Sequence, residues 1–363
     1  MKSIVLYFYS ITKSGGAERR ICQLAGELSN RNYKVYLCSL DKPESISYYS
    51  LERGVTWWKL GGKRHGLYGK LTRTIALYSK LRKNNVKVLI GFVMSADKTI
   101  YLAAKLAKVR LVVAERNSPI MYWIRLSKIQ RQLVFTLMRF ADKITVQTSA
   151  FILQYPQMLH ERIVSISNPV ECVKNSALPA LSNQRGRFTI IAVSRLDNLQ
   201  KRIDLLVKSF ILIAEEFTDW DLKIIGDGQD KDILADLIAA SNYSQRIELV
   251  GDVKDVSKYY KSANIFVIPS QWEGFPNALA EAMSFGLPAI GFFESSGVME
   301  LIDKGGWLVE KNGCVEDLAE NLRVAMSNPN ERKKRGELAK ALMQPFTPEK
   351  HLSAWDGLIK SLL

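Results

Sequence analysis

No window of this chain approaches 18 uninterrupted apolar residues, so a membrane-spanning helix is not expected. The opening MKSIVLYFYS has one lysine and a short apolar run broken by polar residues, without a small-residue cleavage site. It reads as a buried first strand rather than a signal peptide. Cysteine is sparse. Cys22, Cys38, Cys172 and Cys314 lie far apart, without the close spacing of a zinc site or a disulfide framework, so a cytosolic setting and no metal are expected. Internal repeats and low-complexity tracts are missing too. So is the G-x-G-x-x-G fingerprint, which argues against a dehydrogenase.

What is present fits two α/β domains. The 363 residues exceed one ordinary domain, and 47% hydrophobic content lets each half bury a core. The net charge of +15 is uneven: residues 1–170 carry +19 and the remainder −4. A basic half beside a mildly acidic one implies an anionic partner for the first half alone. Nucleic acid, an anionic membrane surface and a phosphorylated acceptor all qualify on charge. No nucleic-acid module is recognisable, so no nucleic-acid partner is expected.

Short apolar runs alternate with helical stretches, the pattern of parallel sheets with crossover helices. Strands are expected near 3–9, 34–40, 86–92, 110–114, 143–147 and 162–166, and helices near 16–30, 67–84, 96–108 and 119–140. On the second helix, Leu67, Leu71, Ile75, Tyr78 and Leu81 are read as one apolar face, with Lys70, Arg73, Lys80 and Lys83 opposite. Residues 168–187, rich in Asn, Ser and Pro, read as a linker. The pattern restarts with FTIIAVS at 188, then strands at DLKIIG, RIELVG, NIFVIPS and LPAIGF. The expected architecture is two Rossmann-like domains across a cleft: 1–170, 171–345, and a final helix within 346–363 that belongs to either half, with packing back on the first as one option.

Ligands of open α/β sheets gather where strands end and helices begin. After NIFVIPS the chain reads Gln271-Trp272-Glu273-Gly274-Phe275-Pro276-Asn277-Ala278-Leu279-Ala280-Glu281. Pro276 suits a first helical turn, leaving the N–H groups of Asn277, Ala278 and Leu279 for a phosphate oxygen. Glu281 can receive ribose hydroxyls and Glu273 a sugar, although either glutamate alone also suits a helix dipole. After FTIIAVS, Arg195 and Lys201 can share a diphosphate, Arg as a fork and Lys as a point charge. Gly228, in IIGDGQD, and Val253, after Gly251, border loops open to a base or ribose, or form ordinary turns. Gly15 and Gly16, between the first strand and helix, allow close approach to a pyrophosphate.

Together these loops resemble the retaining glycosyltransferases of family four, type B fold. Glu273 and Glu281 match that family's two glutamates seven residues apart, followed by Ala282-Met283 and Gly286-Leu287-Pro288. Arg195 and Lys201 match its diphosphate-binding pair, and Gly15-Gly16-Ala17-Glu18 is similar to its amino-terminal glycine loop. The resemblance implies that Glu281 binds the nucleotide ribose and Glu273 the transferred sugar, with retention and without a metal ion. One departure stands out. Many members carry a histidine at the end of the strand LVVAERN, whereas His65, His160 and His351 all lie elsewhere. Glu115, Arg116 and Asn117 hold that place and become candidates for the acceptor side. Similar stretches occur in members that add N-acetylhexosamines to bacterial surface polysaccharides and lipid-linked oligosaccharides.

The expected activity is therefore transfer of a hexose or N-acetylhexosamine from a nucleotide sugar, with uridine the family's usual base, to a saccharide acceptor. An undecaprenyl-pyrophosphate-linked acceptor and a peripheral position on the inner face of the cytoplasmic membrane fit the basic half. No cofactor beyond the nucleotide sugar is expected. Rival readings are a sugar-nucleotide epimerase of the same fold and a non-catalytic binding subunit.

Overall fold

A computed structural model of the chain describes every residue except Ser14, 62–65, Cys172 and Asn312, and for Leu67 the backbone alone. The expectations for His65, Cys172 and the Leu67 side chain thus lie outside the described residues. Two compact units form: Met1–Ser167 with Glu349–Leu363, and Asn168–Pro348. Among the described residues, no helix is long and apolar enough to cross a membrane.

The first unit is a seven-stranded parallel sheet. Its strands are β1 (Ser3–Phe8), β2 (Lys34–Ser39), β3 (Val55–Lys59), β4 (Val86–Phe92), β5 (Arg110–Ala114), β6 (Lys143–Val146) and β7 (Ile163–Ser165), in the order β3-β2-β1-β4-β5-β6-β7. Along β1, Val5 and Tyr7 enter one core while Ile4, Leu6 and Phe8 enter the other, so a continuous apolar run fills both faces. β3 went unread in the sequence. It is an edge strand with only Trp58 buried, so it shows no apolar run.

Helices α1 (Gly16–Ser29), α2 (Gly66–Lys83) and α3 (Lys98–Ala107) alternate with these strands. The expected helix at 119–140 is two: α4 (Ile120–Arg125) and α5 (Lys128–Met138). Leu126 is extended between them, and Ser127 caps α5 in a reciprocal box with Gln130. That S-x-x-Q spacing was a readable start signal.

The expected apolar face of α2 is also corrected. Thr74, Leu77 and Leu81 are buried, whereas Leu71, Ile75 and Tyr78 face solvent. Thr74 can take a core position because its hydroxyl donates to the Lys70 carbonyl at 2.9 Å.

The second unit has six parallel strands: β8 (Phe188–Val193), β9 (Trp220–Ile225), β10 (Ile247–Gly251), β11 (Ile265–Ile268), β12 (Ala289–Phe292) and β13 (Gly306–Val309). Their order, β10-β9-β8-β11-β12-β13, is the doubly wound arrangement that reverses direction between β8 and β11. Crossover helices are α6 (Ile203–Ile213), α7 (Lys231–Ala239), α8 (Ser257–Ser262), α9 (Asn277–Ser284) and α10 (Ser296–Ile302); α11 (Val315–Ser327) and α12 (Pro329–Leu342) follow the last strand.

The boundary falls at Ser167/Asn168, three residues before the expected one. Nor does the segment 168–187 hang free as a linker. Val170 and Ala177 are buried in the second core, and their N–H groups donate to the Phe346 and Phe285 carbonyls at 2.7 Å. The last helix, α13 (Pro348–Ser361), adds Trp355, Leu358 and Ile359 to a core of the first unit.

Candidate functional site

The direction of the second sheet reverses between β8 and β11, so the loops leaving those strands diverge and leave a crevice at their carboxyl ends. The loop after β8 carries Arg195 and Lys201; the loop after β11 carries Glu273 and leads into α9. The Lys201 ammonium lies 2.6 Å from Glu273 Oε1, with side-chain exposures of 16% and 9%. Gln200 stitches the loops together: its carbonyl accepts from the Gln271 N–H at 2.8 Å and its side-chain amide donates to the Trp272 carbonyl at 3.1 Å. Arg195 is exposed, with one long contact to Gln200 Oε1 at 3.4 Å.

Helix α9 opens at Pro276, whose carbonyl accepts the first helical bond from the Ala280 N–H at 3.0 Å. By helix geometry, the N–H groups of Asn277, Ala278 and Leu279 have no acceptor within the helix. Asn277 and Ala278 reach the surface while Leu279 is buried, so its contribution is its backbone. Glu281, one turn on, is exposed and accepts from the Tyr260 hydroxyl at 3.3 Å. Burial first, then the Glu281 charge, pushes the Tyr260 hydroxyl far above its ordinary pKa, so it remains a donor. Tyr260, Gln200 and Gly297 support the site and were not identified in the sequence. A Cβ on Gly297 would sit 2.5 Å from the Gly274 carbonyl oxygen, so glycine there lets α10 press against the Glu273 loop. Only the S-G pair opening a helix hinted at it.

Gly228 proves to have a neighbour of its own. A Cβ there would lie 2.3 Å from the Leu196 carbonyl oxygen, and Gly226, at φ +131°, approaches the Ser194 carbonyl as closely. The Leu196 N–H donates to the Asp227 carbonyl at 3.0 Å. These glycines therefore let the β9 loop hold the Arg195 loop in place. Val253 is half-buried against the second core beside Gly251, whose carbonyl accepts from the Gly226 N–H at 2.9 Å.

In the first unit, Gly15 precedes α1 in an extended conformation, and the space beside its Cα is taken by the Glu18 carboxylate. Gly16 has nothing near it. Glu115, Arg116 and Asn117 do not converge. Glu115 is buried, accepts from the Tyr122 hydroxyl at 2.5 Å, and has its pKa raised by burial against opposing hydrogen bonds from Tyr122 and Ser95. Arg116 turns to the other face, over the Phe92 ring at 5.3 Å, where burial and the Arg20 charge lower its pKa to about 9. Asn117 is exposed. Among the described residues, no group of three His, Cys, Asp or Glu side chains could hold a metal ion.

Comparison with known proteins places this geometry. Residues 175–342, nearly the whole second unit, match the family model of glycosyl transferases group 1. An uncharacterized glycosyltransferase of Haemophilus influenzae is 29% identical, with 99% of this chain and all of that one covered. The amylovoran biosynthesis glycosyltransferase AmsD of Erwinia amylovora is 26% identical over 99% and 100% of the two chains. A Campylobacter jejuni enzyme, named as an N-acetylgalactosaminyltransferase acting on a diphospho-undecaprenol-linked saccharide, is 26% identical over 95% and 96%. Among solved structures, the lipopolysaccharide outer core galactosyltransferase WaaB superposes with a TM-score of 0.79 at 18% identity, covering 99% and 100%. Anabaena HepE, solved in complex with UDP, does so at 0.75 and 16%, covering 99% and 100%.

The fold is that of the type B glycosyltransferases. Residues 175–342 match the group 1 glycosyltransferases, and the chain is similar along nearly its full length to bacterial glycosyltransferases, one of them named for amylovoran biosynthesis.

Proposed function

We propose that the chain moves a hexose or N-acetylhexosamine from a UDP-sugar to a lipid-pyrophosphate-linked saccharide, with retention of anomeric configuration and without a metal or cofactor. The observation that carries this is the Lys201–Glu273 pair, with Gln200 bonded both to Arg195 and to the loop that leads into α9. The complexes of HepE with UDP support the choice of base, and the Campylobacter relative supports the lipid-linked acceptor.

Departure of the nucleotide leaves an oxocarbenium-like sugar and a doubly charged diphosphate. Glycosidases flank such a centre with two carboxylates. Here Glu273 is already engaged with Lys201, and Glu281 sits on the following helix, so hydrolysis by opposed carboxylates is not available. Arg195 and the α9 N–H groups stabilise the diphosphate as charge develops, each such donor contributing about 10²–10³ in rate. Lys201 reaches the same charge while holding Glu273 toward the sugar. The C1–O bond to phosphate breaks, the acceptor oxygen bonds C1 on the same face, and the departing phosphate takes the hydroxyl proton. Glu281 receives the ribose hydroxyls.

The basic first half brings the enzyme to the anionic inner face of the cytoplasmic membrane, where such acceptors lie. Incubating UDP-sugars with a polyprenyl-pyrophosphate disaccharide, and reading the product linkage by NMR, tests the proposal. An α-linked product from an α-linked donor is expected. Inversion, or a new sugar nucleotide formed without any acceptor, contradicts it.

A further inference from the structure

Between α3 and the end of α5 lies a groove of about 650 Å³ that the transferase chemistry leaves unused. It follows α3 to the amino end of β5, the opposite end of that strand from Glu115, so it does not belong to the carboxyl-edge crevices where nucleotide folds take ligands. Its floor is apolar: Leu102, Leu111, Leu137 and Phe140. Its rim is cationic: Lys98, Lys105, Lys108 and Arg110, against the single acid Asp142. That acid is spent, since it pairs with Arg110 at 2.8 Å and accepts the Leu111 N–H at 2.8 Å. Among the described residues, none of the three lysines forms an ion pair.

Helix-dipole compensation accounts for Lys105 and Lys108 at the negative end of α3, but not for Lys98, which opens the helix where a cation is disfavoured. Nor does it account for the apolar lining, which continues outward as exposed Leu102, Leu106, Leu133 and Phe140. A wet, purely electrostatic surface has no use for such a floor.

We propose that this groove holds one anionic glycerophospholipid of the bilayer. An acyl chain lies over Leu102, Leu137 and Phe140, and the headgroup phosphate sits between Lys105 and Lys108, which form no ion pair among the described residues. The volume suits one acyl chain and a headgroup, the second chain staying in the bilayer. This deepens the membrane contact proposed above by giving it a discrete, stoichiometric lipid site; it is independent of the transfer reaction.

The test uses the full chain and short-chain phosphatidylglycerols below their micelle concentrations, followed by calorimetry. One lipid per protein is expected, with affinity rising about three- to fourfold for each added methylene. Leu102→Asp, at an exposed position, weakens binding at least tenfold and leaves UDP binding unchanged. Phe140→Ser, which strips an exposed part of the floor without altering charge, does the same. Affinity independent of chain length, or insensitive to Leu102→Asp, overturns the proposal. So does a wild type that sediments with anionic vesicles yet binds no short-chain lipid, an outcome that leaves the broader membrane contact standing.

Discussion

At the scale of single residues, the Lys201–Glu273 pair and Arg195 behave as opposites. The pair is largely removed from water, so deleting either partner strands a buried charge. Lys201→Ala or Glu273→Ala is expected to cost about 3–5 kcal/mol in urea unfolding, besides abolishing transfer. Replacing both, as Lys201→Met with Glu273→Leu, restores stability to near wild type while activity stays lost. Arg195 makes one long contact at the surface. Arg195→Ala should leave stability within about 0.5 kcal/mol and lower the transfer rate about 10²–10³-fold. Residue types and spacing were enough to single out these side chains. That the ammonium pairs with Glu273 was not legible, because a pair 72 positions apart depends on how two loops dock. For Glu115, Arg116 and Asn117, the burial of the first two was not legible, because they lie past the end of β5, where no periodicity reports it.

At the scale of elements, Gly297 lets two segments of the crevice pack without itself touching a ligand. A Cβ on Gly297 collides with the Gly274 carbonyl, and α10 must move off the Glu273 loop. Gly297→Ala should therefore reduce kcat at least tenfold while α9 stays folded by far-UV circular dichroism. Gly251→Ala is the control. Its φ of +81° strains any side chain, but nothing lies within 4 Å, so a cost of about 1 kcal/mol and little loss of rate are expected. Strands with continuous apolar runs could be placed to within a residue or two, as with β4 and β5. Edge strand β3 could not, because one buried residue in five leaves no pattern. Helix α2 misled for a related reason: its exposed Leu71, Ile75 and Tyr78 imitate a core face, while the core position goes to Thr74.

At the scale of the molecule, α13 makes the last residues of the chain part of the first unit's core. Trp355 is fully buried, its ring stacked 6.0 Å from Phe92. Trp355→Ala should destabilise that unit by about 3–5 kcal/mol, seen as a lowered melting transition that UDP does not rescue. On the same helix His351 is buried, with Nδ1 2.5 Å from the Ser167 carbonyl. Burial first, then the Arg20 charge, lowers its pKa from 6.5 to about 3, with Arg116 adding to the effect. The unfolded chain then binds the proton that the folded one refuses. This contribution to stability is present above pH 6.5 and is lost toward pH 3, at about 1.4 kcal/mol per pH unit. His351→Gln should flatten that slope in acid unfolding curves.

The account rests on a diphosphate meeting Arg195, Lys201, Glu273 and the start of α9 in the second unit. Titrating UDP into the full chain by calorimetry tests this directly. One site is predicted, weakened at least tenfold by Arg195→Ala and by Glu281→Ala and unchanged by Leu102→Asp. Absence of UDP binding, or both site variants binding as the wild type does, would contradict it.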